Sequence, residues 1–161
     1  MILLKKILNA MNESTRILCS IFLLSSVLVI FYQVFTRYIL GFSLAWTEEY
    51  ARYANVWMTF LGIGLITRTR EHIRLDFFDY VLGWKGRYGI LVLDTLSSII
   101  FYGVLGYEGA KMLSVTHRQI APGLQISLTY VYVAIPIGCA VVVVFAIEHL
   151  LRKASTYKKG E

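Results

Sequence analysis

Cysteine, histidine, proline and charge are all scarce in this chain of 161 residues, and each scarcity removes a class of function. The two cysteines, Cys19 and Cys139, fall in separate apolar runs at unlike distances from the charged ends. They read as small packing residues rather than a disulfide pair or a dithiol shuttle. The three histidines, His72, His117 and His149, lie in polar stretches or at the end of an apolar run, which argues against a haem held between helices. Charged residues make up only 16% of the chain against 57% hydrophobic, and a mean hydropathy of +0.63 is too high for an ordinary soluble domain. Also missing are an internal repeat and a pair of interrupted hydrophobic segments, both expected of a self-sufficient secondary transporter.

What is present is a set of long apolar runs. Residues 17–36 carry no charge, and at ~1.5 Å per residue they cover ~30 Å, one hydrocarbon core. The expected fold is therefore an all-α integral membrane protein with four transmembrane helices, at about 17–38, 48–67, 88–107 and 124–147. The first run is longer than a signal-peptide core and lacks a small-x-small cleavage pattern before Arg37, so it reads as retained. Two short amphipathic segments, about 2–12 and 74–84, fit helices lying in the interface, the first before the chain turns into the membrane. Lysine and arginine concentrate in the N-terminal segment, the second loop and the C-terminal tail, leaving only Arg37, Arg52, Lys111 and Arg118 elsewhere. Both termini are expected in the cytoplasm, and the same distribution explains the basic isoelectric point without nucleic acid. Tyrosines near the opposite ends of the runs, such as Tyr50, Tyr102 and Tyr130, fit an aromatic belt.

The stretch WTEEYAR, Trp46 to Arg52, sets three charges at the mouth of the second run. Glu48 is four residues from Arg52 and Glu49 three, so one helical face can pair them, with Arg37 across the turn neutralising the second carboxylate. Thr47 is placed to cap the helix. Pro136 should kink the fourth span, and Gly62, Gly64, Gly103, Gly106, Ala110 and Gly138 are small enough to let helices approach closely. Asp94 is the one ionisable residue well inside a run. It reads either as a carboxylate satisfied near the headgroups or as the acid of a small exporter.

Four segments carry a family resemblance: RYILGFSLAWTEEYAR (37–52), VWMTFLG (56–62), REHIRLD (70–76) and YVAIPIG (132–138). In this order the chain resembles the small permease subunit of tripartite ATP-independent periplasmic (TRAP) transporters. The resemblance implies a bacterial inner-membrane complex in which a soluble periplasmic binding protein delivers an organic acid, such as a C4-dicarboxylate or sialic acid. A large many-span permease would carry substrate and sodium by an elevator-like movement, while the small subunit braces it. It further implies no enzymatic activity, no cofactor in this chain, and sodium coupling in the large subunit. On this reading Arg37, Trp46, Glu48, Glu49 and Arg52 fix an outer corner near the docked binding protein. His72, Arg74 and Asp76 fix an inner corner, and Trp57 and Gly62 contact the large subunit or intervening lipid. A stand-alone exporter using Asp94, or a purely structural membrane protein, are the competing readings.

Overall fold

The computed structural model describes residues 2–69 and 84–158. They form α1 (Ile2–Tyr38), α2 (Ala45–Thr69), α3 (Trp84–Thr116), a single turn α4 (Thr129–Tyr132) and α5 (Ala134–Lys158). The segment expected as an interfacial helix at 74–84 lies outside the described residues except for Trp84, which opens α3.

Several boundaries differ from expectation, among them the end of α5, at Lys158 rather than 147, and three have a visible cause. The chain does not turn after residue 12: α1 is one helix of 37 residues, ~55 Å long, and no glycine or proline lies within it to end the first segment. Near its start Leu8 is buried, and Thr15 is buried with its hydroxyl donating to the Met11 carbonyl at 2.8 Å, so tertiary contacts hold this half in register with the rest. Helix α3 runs about two turns past the expected end at 107, because Gly106, Gly109, Leu113 and Thr116 fall on one face and pack although the stretch is polar. The fourth run begins later than 124. Residues 119–128 instead close a small hairpin-like loop, with Ala121 N–H donating to the Ile126 carbonyl at 2.9 Å, Leu128 N–H to the Gln119 carbonyl at 3.0 Å, and an isolated bridge between Ile120 and Ser127.

Pro136 lies in the first turn of α5, and the chain enters it helically: Val133 keeps helical angles (φ −58°, ψ −25°), its N–H donating to the Thr129 carbonyl at 2.9 Å and its carbonyl accepting from Ile137 at 3.3 Å. Gly41, with φ +76°, makes the turn from α1 to α2.

The helices pack as a row in the order α1, α2, α5, α3, with no comparable packing between α1 and α3. Glycines set the closest approaches. A Cβ on Gly138 would fall 2.5 Å from Phe60 Cβ and 2.8 Å from the Phe60 carbonyl oxygen, and one on Gly64 would strike Val141 at 2.7 Å, so α2 and α5 meet almost backbone to backbone. Gly106 and Gly109 do the same for α3 against Cys139 and Ile135 of α5. The core lies along this seam, in Ala54, Leu61, Cys139, Val142 and Phe145.

Burial runs opposite to that of a soluble helix. On α1 the buried positions include Thr15, Ser26 and Thr36, while Leu24 and Phe31 are 63% and 71% exposed. Large apolar side chains face outward and small hydroxyls inward, an arrangement that is stable only when the surroundings are apolar. The buried hydroxyls of Thr15 and Thr36 bond to carbonyls of their own helix, which makes them inexpensive to bury. Two stretches, Lys6–Tyr38 and Thr129–Leu151, are long and apolar enough to cross a membrane. Helix α2 falls short of that measure, because charges enter at both of its ends.

Candidate partner interface

The end of the row opposite the chain termini gathers Arg37, Trp46, Glu48, Glu49 and Arg52. Here α2 starts, with Ala45 as its first residue, so Thr47 lies inside the first turn rather than capping it. Thr47 is fully buried and its hydroxyl donates to the Leu44 carbonyl at 2.7 Å. The three charges that follow do not form one cluster. Arg52 Nη2 donates to Glu48 Oε1 at 2.9 Å, as the four-residue spacing requires, and both side chains are about two-thirds exposed. Such a pair contributes only ~0.3–0.5 kcal/mol.

Glu49 points elsewhere. Its carboxylate accepts from the backbone N–H of Gly123 at 3.0 Å and of Leu124 at 2.9 Å, latching the loop that precedes α4. A side chain on Gly123 would meet this carboxylate and the Ala45 carbonyl carbon at 3.0 Å, so the position needs glycine for the latch to close. The expected neutralisation of the second carboxylate by Arg37 is therefore replaced by two backbone donors. Arg37 is exposed, its guanidinium carbon 6.0 Å from the centre of the Tyr38 ring.

The aromatic residues are internal fasteners. Trp46, 37% exposed, lies 6.2 Å from Tyr32 of α1 between ring centres. Trp57 stacks on Phe22 of α1 at 5.8 Å and donates its Nε1–H to the Tyr130 carbonyl of α4 at 3.1 Å, joining three elements. Gly62 has open space where its side chain would be, so it supports no packing within the described residues. Asp94 is exposed on α3. His72, Arg74 and Asp76 lie outside the described residues.

A polar centre at the opposite end went unread in the sequence. Arg68, in the last turn of α2, donates to the Leu8 carbonyl at 2.9 Å and to Asn9 Oδ1 at 2.6 Å. Its Nε lies 3.2 Å from Glu148 Oε2, with both side chains mostly buried, and its guanidinium carbon sits 5.3 Å from the Phe145 ring centre. One arginine thus clamps α1, α2 and α5 together. The available signal was an acidic residue just past the last apolar run, level with a cation just past the second.

The described helices thus form a row with large apolar side chains facing outward and polar groups gathered at its two ends, as in a membrane protein. The family model for the DctQ component of tripartite ATP-independent periplasmic transporters matches residues 26–156, and the chain belongs to that family. A protein assigned as a TRAP transporter small permease in Haemophilus influenzae is 24% identical over 129 residues, covering 80% of this chain and 78% of its own. The sialic acid TRAP transporter small permease protein SiaQ of Vibrio cholerae is 28% identical over 112 residues, covering 68% of this chain and 63%, less than two thirds, of its own length. The isethionate TRAP transporter permease protein DctMQ of Oleidesulfovibrio alaskensis is 25% identical over 139 residues, which is 80% of this chain but 21% of that protein. A region similar to this chain thus occurs there within a much longer permease.

Proposed function

We propose that this chain is the bracing subunit of a TRAP importer for an organic anion. Its four long helices span a bacterial inner membrane, both termini lie in the cytoplasm, and its row of helices widens the scaffold of a large permease. The observation that carries this reading is the state of α1: only 6% of its most apolar window is buried, against 39% for the α4–α5 stretch. A helix held by one neighbour and presenting large apolar side chains over the rest of its surface has room for a large apolar companion. The longer relative that joins a similar region to more permease chain supports the same pairing. Substrate and sodium are carried by the companion. Relatives named for sialic acid and for isethionate, a carboxylate and a sulfonate, support a small organic anion as cargo.

The periplasmic binding protein docks at the end carrying Arg37 and the latched loop, where Arg118, Ile120 and Gln125 are exposed on a backbone that Glu49 holds fixed. The test is purification of the tagged chain from its native membrane. A many-span permease should come out with it in equal amount, and recovery of the chain alone or as a homodimer would sink the proposal.

The exporter reading requires Asp94 in a path between helices, whereas the residue is exposed on an edge helix of the row. Asp94→Asn should leave uptake by the assembled transporter within about twofold, the range of a surface change.

A further inference from the structure

Contacts between neighbouring helices fix a common level across the row. Trp57 of α2 stacks on Phe22 of α1 and Arg68 reaches Leu8 and Asn9, so Phe60 between them stands level with about residue 18 of α1. Phe60 meets Gly138 of α5, and the adjacent Cys139 meets Gly106 of α3. From this level the apolar runs at the two edges of the row extend in opposite directions. On α1 the charge-free run 17–36 lies almost wholly toward the loop end. On α3 the run between Arg87 and Glu108, with Asp94 its single ionisable residue, lies almost wholly toward the chain-terminal end. Their centres, near Ser26 and Ser97, are ~25 Å apart along the helix axes.

Exposed ion pairs mark where each run stops. Glu13 and Arg16, 2.6 Å apart, lie just past the common level on the chain-terminal side of α1. Glu108 and Lys111, 3.5 Å apart, lie just past it on the loop side of α3, and all four side chains are more than half exposed. Upright helices in a bilayer centred on the α2–α5 seam would hold both pairs near the midplane, where charges facing lipid are costly. Sliding the membrane frees only one edge: centred on the α1 run it immerses Glu108 and Lys111, and centred on the α3 run it immerses Glu13 and Arg16. Helix length points the same way. The edge helices α1 and α3 have 37 and 33 residues, ~55 and ~50 Å, against ~30 Å for a hydrocarbon core, while α2 and α5 in the middle have 25 each.

We propose that the row sits obliquely in the bilayer, its helices inclined within the plane of the row so that lipid hydrocarbon meets a diagonal band from the loop-side half of α1 to the chain-terminal half of α3. An offset of ~25 Å across three steps of 8–10 Å, moderated by the charges of the middle helices, corresponds to an inclination of ~30–45°. The inclination moves Glu13 and Arg16 toward one interface and Glu108 and Lys111 toward the other. Helix α2 is least affected, since Arg52 and Arg68 are each eight residues from Phe60. The last turns of α3 and the 119–128 loop become a corner raised clear of the hydrocarbon, accessible to a soluble partner, while the Arg37 turn settles toward the headgroups. The proposal rests on reading the four long helices as membrane spans.

Nitroxide labels placed one at a time at the exposed positions Phe31, Val115, Ile90 and Ile7 test this, in the full chain lacking Cys19 and Cys139 and reconstituted into liposomes. Depth is read from collisions with oxygen, which enriches in hydrocarbon, against those with a nickel chelate, which stays in water. At the loop end Val115 is nearer the common level along its helix than Phe31, and at the other end Ile7 is nearer than Ile90. In the oblique row both orders reverse: Phe31 should read ~5–10 Å deeper than Val115, and Ile90 deeper than Ile7 by a similar amount. Polarised infrared dichroism of oriented bilayers should give a mean helix inclination of ~30–45°, above the ~20° usual for spans. Val115 and Ile7 reading deeper than their counterparts, or a mean inclination of ~20° or less, overturns the oblique seating alone. Equal access of the nickel chelate to all four labels overturns the reading of the helices as spans, and the seating with it.

Discussion

Glu48 and Glu49 are neighbours in sequence with opposite duties, and the difference comes from where one helical step of ~100° points each carboxylate. Glu48 faces outward and meets Arg52 on its own helix, a pairing that the four-residue spacing made legible. Glu49 faces the loop before α4 and meets the backbone of residues more than seventy positions away. No local pattern encodes that, because backbone donors carry no signature of their own; the nearest hint was the Ala121-Pro122-Gly123 turn. The energies should separate accordingly. Hydrogen bonds to a charged group contribute ~1.5–3 kcal/mol each where water is limited, far above the ~0.3–0.5 kcal/mol of an exposed ion pair. Glu49→Gln keeps the shape and removes the charge, so hydrogen exchange at the Gly123 and Leu124 amides should accelerate by about tenfold or more, whereas Glu48→Gln should leave both amides unchanged. Equal exchange in the two variants would mean that the latch does not hold the loop.

At the scale of elements, the sequence told that small residues pack helices but not which of them do so. Gly62 and Gly138 had equal standing as small residues in apolar runs, yet Gly138 lies against the Phe60 backbone and Gly62 faces open space. The face of a helix that meets protein and the face that meets lipid share a composition of Leu, Val and Ile, so periodicity does not distinguish them. Alanine at the two positions should therefore act in opposite directions. Gly138→Ala forces α2 from α5 against a backbone atom that cannot rotate away, at a cost of ~1–3 kcal/mol, and should lower the thermal unfolding midpoint in detergent. Gly62→Ala meets nothing and removes backbone freedom from the unfolded chain, which should raise the midpoint by the equivalent of ~0.5–1 kcal/mol. Helix length was misread for a related reason. Polar residues at 108–116 read as a loop, although a helix keeps going wherever one face still has something to pack on, here through Gly109 and Thr116.

For the molecule as a whole, a row and a closed bundle have the same helices, the same apolar lengths and the same charge distribution, and they differ only in whether α1 and α3 touch. The row follows from where close contact is possible: α2 and α5 have packing partners on two sides, while α1 packs chiefly on α2 and α3 chiefly on α5. At the chain-terminal end Arg68 reinforces this order by binding α1 and α5 from α2 at once. Among the described residues no helix covers the broad faces of the row, which suits the proposed brace and would serve a transporter with a central path poorly. The two arrangements predict different distances. With neighbouring axes 8–10 Å apart, three steps from α1 to α3 give about 25–30 Å in a row, and a closed bundle would bring the same helices to about a third of that, one step. Spin labels at the exposed positions Leu28 of α1 and Val104 of α3, in a background without Cys19 and Cys139, should therefore report the longer separation in the assembled transporter and in the isolated subunit alike. A separation that is long in the complex but shortens to bundle values in the isolated subunit would show that the companion opens the row; equal long distances in both would show that the glycine seams and the Arg68 clamp suffice to hold it flat.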